Sequence, residues 1–219
     1  MMLDEITGAA GKRWQYHVTA DRLTLPGGGE RWRVTNVEDA SVAFYHRYLK
    51  EEIYADDIAR LRTAVEVAST SEVAASEVIV RLLDVHETSD TVGEWAFPGT
   101  FGVVWELADV ALDEFLGHPD DDKEAVADQV EANVREALVQ LHALGWIHLD
   151  VAPNNVLRVD GIWKLADLDS CTRRGEPVTR TPGLGSYIHP KRRASKRVAA
   201  VEEFDYFGLD VMVKALQDR

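Results

Sequence analysis

A single cysteine, Cys171, in 219 residues leaves no intrachain disulfide available. That excludes the disulfide-stapled class of small secreted domains and fits a reducing cytosol. Positive charge is also scarce: 24 Lys and Arg stand against 38 Asp and Glu, for a formal net charge of −14. A general nucleic-acid binder, or a protein that docks on an acidic membrane, needs a positive field. Both classes are therefore set aside, and the basic run Lys191, Arg192, Arg193, Lys196 and Arg197 reads as a solvated surface. No stretch reaches the roughly 18 uninterrupted apolar residues of a membrane helix. The N-terminal Met1-Met2-Leu3-Asp4-Glu5 lacks the basic and apolar regions of a signal peptide. The reading is a soluble cytoplasmic protein with no nucleic-acid or membrane partner. Internal repeats and low-complexity tracts are absent too. What remains, 46% hydrophobic and 28% charged residues, is a globular composition in a chain long enough for one large domain or two small lobes.

Read along the chain, residues 1–13 are polar and predict a loose terminus. Strand-like runs follow at Trp14–Val18, Arg31–Thr35 and Val42–Leu49, with Pro26-Gly27-Gly28-Gly29 as a turn. Ile58, Leu61 and Val65 share one helical face and predict a helix over Ala55–Ala68. Val78–Val85 and Phe101–Leu107 read as further strands, and after Ala108-Asp109 the long strand patterns stop. Leu112–Leu116 predicts a short helix. A long helix carrying Val126, Val130, Val134, Leu138 and Leu141 ends at Gly145, a suitable C-terminal stop. Val156–Val159 and Ile162–Leu165 flank Asp160-Gly161, a strong hairpin signal. The final helix spans about Glu202–Gln217. The fold class is α+β, with a strand-rich part over residues 1–106 and a mainly helical part over 107–219.

Chemistry concentrates in one stretch. His148-Leu149-Asp150 is followed by Asn155, and Asp167 and Asp169 close the second strand of the hairpin. Taken singly, Asp150 could cap a turn, Asn155 could bond loop backbone and Asp167 could end a strand. As an ordered set between apolar strands they raise one question, whether the chain handles a phosphoryl group and Mg²⁺.

This set resembles the catalytic loop and metal motif of the protein-kinase-like superfamily, with Asp167-Leu168-Asp169 where Asp-Phe-Gly would stand. The resemblance covers most of the chain. Val80–Val85 and Val103–Leu107 are similar to the fourth strand and to the strand and hinge of the N-lobe, and Leu112–Leu116 to the helix after the hinge. Ser186–Lys191 resembles the end of the activation segment, and Asp205–Leu209 the start of the central C-lobe helix. The resemblance implies a two-lobe fold: an antiparallel N-lobe sheet plus one helix, and a C-lobe shortened after its central helix. It implies Asp150 as the residue that accepts or orients the substrate proton, and Asn155 and Asp167 as Mg²⁺ ligands. ATP would lie against Ala43, the backbone of Glu106 and Leu107, and whichever of Tyr45 or Lys50 holds the N-lobe lysine position, with Glu66 as the helix partner.

Several positions depart from the family pattern. Gly27-Gly28-Gly29 is clustered rather than spaced, and Leu149, Ala152, Asn154, Asp169 and Lys191 replace residues the family favours. Leu149 stands for the Arg that receives a phosphorylated activation loop, so switching through Thr179, Thr181 or Ser186 is disfavoured. The expected function is a divergent phosphotransferase using ATP and Mg²⁺ on protein Ser/Thr hydroxyls. The alternatives are a pseudokinase that binds a protein partner and a small-molecule phosphotransferase. Phe204, Phe207, Val211 and Val213 lie on more than one side of the last helix and predict a homodimer, or a partner, through it.

Overall fold

The computed structural model describes residues 3–23, 29–88, 99–116, 123–178, 185–195 and 197–218. The turn glycines Gly27 and Gly28, together with Thr179, Thr181 and Lys196, lie outside them. The chain is α+β and divides into two compact units, Met1–Glu66 with Arg81–Leu107, and Val67–Val80 with Ala108–Arg219.

In the first unit six strands form one antiparallel sheet: β1 (Leu3–Thr7), β2 (Arg13–His17), β3 (Glu30–Asn36), β4 (Val42–Leu49), β5 (Leu82–Glu87) and β6 (Thr100–Glu106). Their order is β1-β2-β3-β4-β6-β5. Residues 3–7, expected to be loose, pair with β2 from Leu3↔His17 to Thr7↔Arg13. The reason is Ile6, buried beneath the sheet, and a turn whose far side has a partner. Ala9 N donates to Val85 O at 2.7 Å, Ala10 N to Asp84 Oδ1 at 3.0 Å and Trp14 Nε1 to Asp84 Oδ2 at 3.3 Å. These bonds bring the first hairpin onto the last strand and curl the sheet. Gly8 permits this, since a Cβ there would overlap the Asp84 carboxylate.

Alternation along β4 sends Ala43 and Tyr45 to one face and Phe44, His46 and Tyr48 to the other. The first face is an aromatic core of Trp14, Tyr16, Trp32 and Tyr45 with Ile6, Val34, Ala43 and Val104. On the second face, Tyr48, Phe101 and Val103 pack with Leu61 of α1 (Ala55–Ala68), the helix the Ile58/Leu61/Val65 pattern predicts. Gly102 of β6 lies under the Tyr45 ring: a Cβ there would come within 2.6 Å of the ring and 2.9 Å of Arg47 Cβ. Gly102→Ala should therefore cost about 1–3 kcal/mol through overpacking, measured by urea unfolding. An unchanged midpoint would show that Tyr45 can move aside.

The second unit is built on α4 (Lys123–Ala143), which follows α2 (Ser71–Ala74), β7 (Val110–Ala111) and α3 (Leu112–Phe115). Ala127, Val130, Val134, Ala137, Leu138 and Leu141 make its buried stripe, and Gly145 at φ 80° ends the turn after it. Next come β8 (Trp146–Ile147), β9 (Val156–Val159) and β10 (Ile162–Leu165). Asp160 and Gly161, at φ 49° and 82°, make the tight β9–β10 turn the dipeptide predicts. β11 (Thr172–Arg173) pairs with β8, and α5 (Pro190–Ala194) precedes α6 (Glu203–Gln217), which packs on α4.

The stretch Val78–Val85, expected as one strand, is split. Val80 N donates to Leu165 O at 2.8 Å and Leu165 N to Val78 O at 2.9 Å, so Val78–Val80 joins β10 in the second unit. Pairing with β6 begins only at Leu82. Alternation within one run of apolar residues cannot reveal that its two ends pair in different sheets. On α6, Phe204, Leu209, Met212, Val213 and Leu216 are buried within the unit, and Phe207 and Val211 are half-buried. The large exposed apolar side chains among the described residues are Leu3, Val42, Ile53, Val139 and Ile162, none on α6. The apolar surface expected there for a homodimer is thus reduced to the half-buried Phe207 and Val211.

Candidate active site

Asp205, at the start of α6 and fully buried, organises the loop that carries the chemistry. Its Oδ2 accepts from His148 N at 2.8 Å and lies 2.8 Å from His142 Nε2, and its Oδ1 accepts from Leu149 N at 2.7 Å. Two backbone donors are thereby satisfied that would otherwise be buried without partners. Gly208, one turn further along α6, lets the helix approach: a Cβ there would come within 2.6 Å of Val151 O.

Above this anchor the His148 ring joins the two sides of the site. Its Nδ1 accepts from Asp150 N at 3.2 Å and its Nε2 lies 2.9 Å from Ala166 O. With Nδ1 accepting from the Asp150 amide, Nε2 carries a proton toward the Ala166 carbonyl. Two non-glycine residues flanking these contacts are left-handed, Leu149 at φ 68° and Asp167 at φ 60°. Such backbone costs about 1–2 kcal/mol per residue and persists where neighbours over-determine it. Here Asp205 grips the Leu149 N–H, while Ala166, just before Asp167, bonds to Asn155 O through its N–H at 2.9 Å.

The three polar groups singled out from sequence are held by one connected network. Asn155 is buried; its Nδ2 donates to Asp150 O at 2.9 Å, and its Oδ1 accepts from Asn154 Nδ2 at 2.7 Å. Asp167 is exposed, and Asp150 and Asp169 are half-buried. Burial pushes the Asp150 carboxyl up, and Asp169 adds to the rise; His148, a hydrogen bond from Asn155 and Arg192 oppose it. Burial likewise raises Cys171 well above the ordinary thiol range, helped by Asp205, Asp169 and Asp167. That thiol stays protonated and inert.

Among the described residues no group of three or more His, Cys, Asp and Glu side chains gathers into a cation cage. Two side chains offer the oxygen chemistry that Mg²⁺ takes. Asn155 Oδ1 and the Asp167 carboxylate are hard oxygens on adjoining backbone, and Mg²⁺ is commonly held by one or two protein oxygens plus water and phosphate. The Asn154 amide would have to leave Asn155 Oδ1 on binding.

Sequence reasoning gave no role to Asp205, His142 or Asn154 and misplaced Arg192. The last was read as part of a solvated run but is only 3% exposed. Pro190 opens α5 and His189 caps it through Nδ1, which accepts from Lys191 N at 3.2 Å. His189 also lies against Phe204 and Phe207. The helix so seated turns Arg192 inward while Lys191 and Arg193 stay exposed.

The residues expected to meet nucleotide lie in the first unit. Ala43 and Tyr45 are both fully enclosed in its aromatic core, with Tyr45 stacked 5.9 Å from Trp32 and its hydroxyl 2.9 Å from His86 Nδ1. In that position neither presents surface to a ligand, because alternation from Val42 points them into the sheet's own core. Lys50 pairs with Glu87 at 3.0 Å and donates to Thr88 O at 2.9 Å. Glu66 is exposed on α1. Glu106 N donates to Arg81 O at 3.0 Å and its Oε1 accepts from Arg81 N at 2.8 Å, while Leu107 is half-buried.

Burial, and then the nearby Arg47, hold the His86 imidazole below its ordinary range, while burial pushes the Tyr16 hydroxyl up to about 12. The unfolded chain then protonates His86 first, at about pH 6.5. Its contribution to stability is complete above that pH and is lost as pH falls toward the lower folded value. Urea midpoints measured from pH 7.5 to 5 should fall less steeply for His86→Gln than for the parent chain. Parallel curves would count against this assignment.

No protein-family model matches the chain, and a search of the curated proteins finds no match. Among the described residues no helix is long and apolar enough to cross a membrane.

Proposed function

We propose that the chain is a divergent phosphotransferase of the protein-kinase-like fold that uses ATP and Mg²⁺ and acts on a hydroxyl acceptor. The observation that carries this reading is the braced loop: Asp205 holds His148 and Leu149, His148 links Asp150 to Ala166, and Asn155 is tied to Asp150. A loop kept only for its shape has no need of a half-buried carboxylate such as that of Asp150. In this reading Asp150 orients the acceptor hydroxyl and takes its proton, which contributes about 10²–10⁴-fold in rate. Asn155 and Asp167 would hold Mg²⁺, which would supply positive charge to the phosphate oxygens. Protein Ser/Thr hydroxyls are the expected acceptors, and a small-molecule hydroxyl is the other class.

A second reading, a pseudokinase that works by binding a protein partner, is favoured by one specific feature. The strand residues expected to face adenine and phosphate are sealed in the first unit's core. Mg-ATP turnover and binding separate the two. The proposal expects a rise in melting temperature with Mg-ATP, worth about 2.7 kcal/mol at a ligand concentration of 100 Kd, and release of ADP that depends on an added hydroxyl acceptor. Binding without turnover would support the pseudokinase, and neither binding nor turnover would reject both nucleotide-dependent readings.

A further inference from the structure

From Gly145 to Leu157 the chain contains no Lys or Arg, so the loop that bears Asp150 has no cation of its own. One reaches it from α5. Arg192 Nη1 donates to the carbonyl of Leu149, the left-handed residue immediately before Asp150. The guanidinium lies in the fields of Asp205 and Asp150, and its centre is 5.9 Å from the Phe204 ring. It is 3% exposed, and its Nε and Nη2 have no hydrogen-bond partner among the described residues. An arginine on a surface helix ordinarily keeps its head in water. Taking that head out of water is costly unless something is gained by it.

The anchoring of α5 is consistent with a fixed placement. His189 and Lys191 both meet Glu203 in the first turn of α6, at 3.3 and 3.1 Å. His189 also lies against Phe204 and Phe207. Leu149 is thus held from both ends of its peptide units, its N–H by Asp205 and its C=O by Arg192. Those two bonds leave little freedom in the peptide that sets where the Asp150 side chain leaves the backbone.

We infer that Arg192 is the positioning residue for Asp150: it fixes the Leu149–Asp150 peptide from α5. This rests on the reading of Asp150 as the group that handles the acceptor proton. The coupling also makes α5 a lever on the site, since anything that draws α5 off Glu203 and Phe204 withdraws the guanidinium from Leu149.

The test uses the full chain with Arg192→Met, Arg192→Lys and Asp150→Asn. Amide hydrogen exchange should rise about tenfold or more at Leu149, Asp150 and Val151 in Arg192→Met, with β9 unchanged and with protection largely kept in Arg192→Lys. A thermal-melting cycle with Asp150→Asn should be non-additive, the loss caused by Arg192→Met differing between the two backgrounds. For turnover, Arg192→Met should lower kcat about ten- to a hundredfold with KM for Mg-ATP within about twofold, and Arg192→Lys should restore most of it. Equal acceleration of exchange in the loop and in β9, or an additive cycle, would overturn the inference by reducing Arg192 to a structural role. A parent chain without turnover counts against the proposed function alone, because exchange and the cycle then decide the role of Arg192. Should Arg192→Met not fold, Arg192→Gln, which keeps a donor without the charge, is judged by the same criteria.

Discussion

Asp205→Ala is expected to lose about 3–5 kcal/mol of folding stability, the range for breaking a buried charged network by removing one partner. The fully buried carboxylate accepts from two backbone N–H groups and faces His142 Nε2. Alanine leaves the buried His148 and Leu149 amides without their acceptor. Each unsatisfied buried donor costs about 1–3 kcal/mol, so the two amides account for most of the loss and His142 for the remainder. Asp205→Asn is the informative control. Its amide oxygen can accept one N–H, but its NH₂ group must face the other donor, so about 1–3 kcal/mol should still be lost. Urea unfolding of both variants measures these differences. A loss below about 1 kcal/mol for Asp205→Ala would mean that the loop re-forms its bonds without the carboxylate, and the left-handed Leu149 would then need another explanation.

Asp150→Asn is expected to lower phosphotransfer by about 10²–10⁴-fold, the usual share of a general base, while leaving Mg-ATP binding and folding close to the parent chain. The two effects separate because the backbone bonds of this residue survive the substitution and its side-chain oxygen can still accept from Asn155. Its N–H meets His148 Nδ1 and its C=O meets Asn155 Nδ2, and asparagine keeps both. Burial raises the Asp150 carboxyl, so the acidic limb of the rate profile should lie above the ordinary aspartate value of about 3.9. The rate should rise as pH climbs through that limb, since only the ionised form accepts the proton. Turnover that survives the substitution would remove Asp150 from the mechanism, and a parallel loss of Mg-ATP binding would place it with Asn155 and Asp167 instead.

Periodic elements were legible from the chain. The 3.6-residue spacing of Ile58, Leu61 and Val65, the long stripe of α4 and the Asp160-Gly161 turn each encode local geometry within a few residues. So does the order of His148, Asp150, Asn155 and Asp167, because a loop followed by a tight hairpin necessarily brings its own ends close. The misreadings are all places where a distant segment supplied the missing term. Residues 3–7 form a strand because Asp84, far along the chain, accepts from the turn after them and from Trp14 of their partner strand. Val78–Val80 leaves the first sheet because Leu165 offers both backbone partners. Ala43 and Tyr45 were expected to face a ligand, yet both are enclosed. Alternation gives two faces without saying which one the sheet will curl around.

Composition and local pattern thus determined the α+β class, the elements and the polar groups of one loop. Tertiary structure decided how those groups are held. Asp205 and Arg192 come 56 and 43 residues after Leu149 and bind its N–H and its C=O. In sequence the first is one more helical acid and the second one more member of a basic run. Their roles follow from burial, since a charge removed from water must find its partners inside the fold, and only the folded chain sets which partners are within reach.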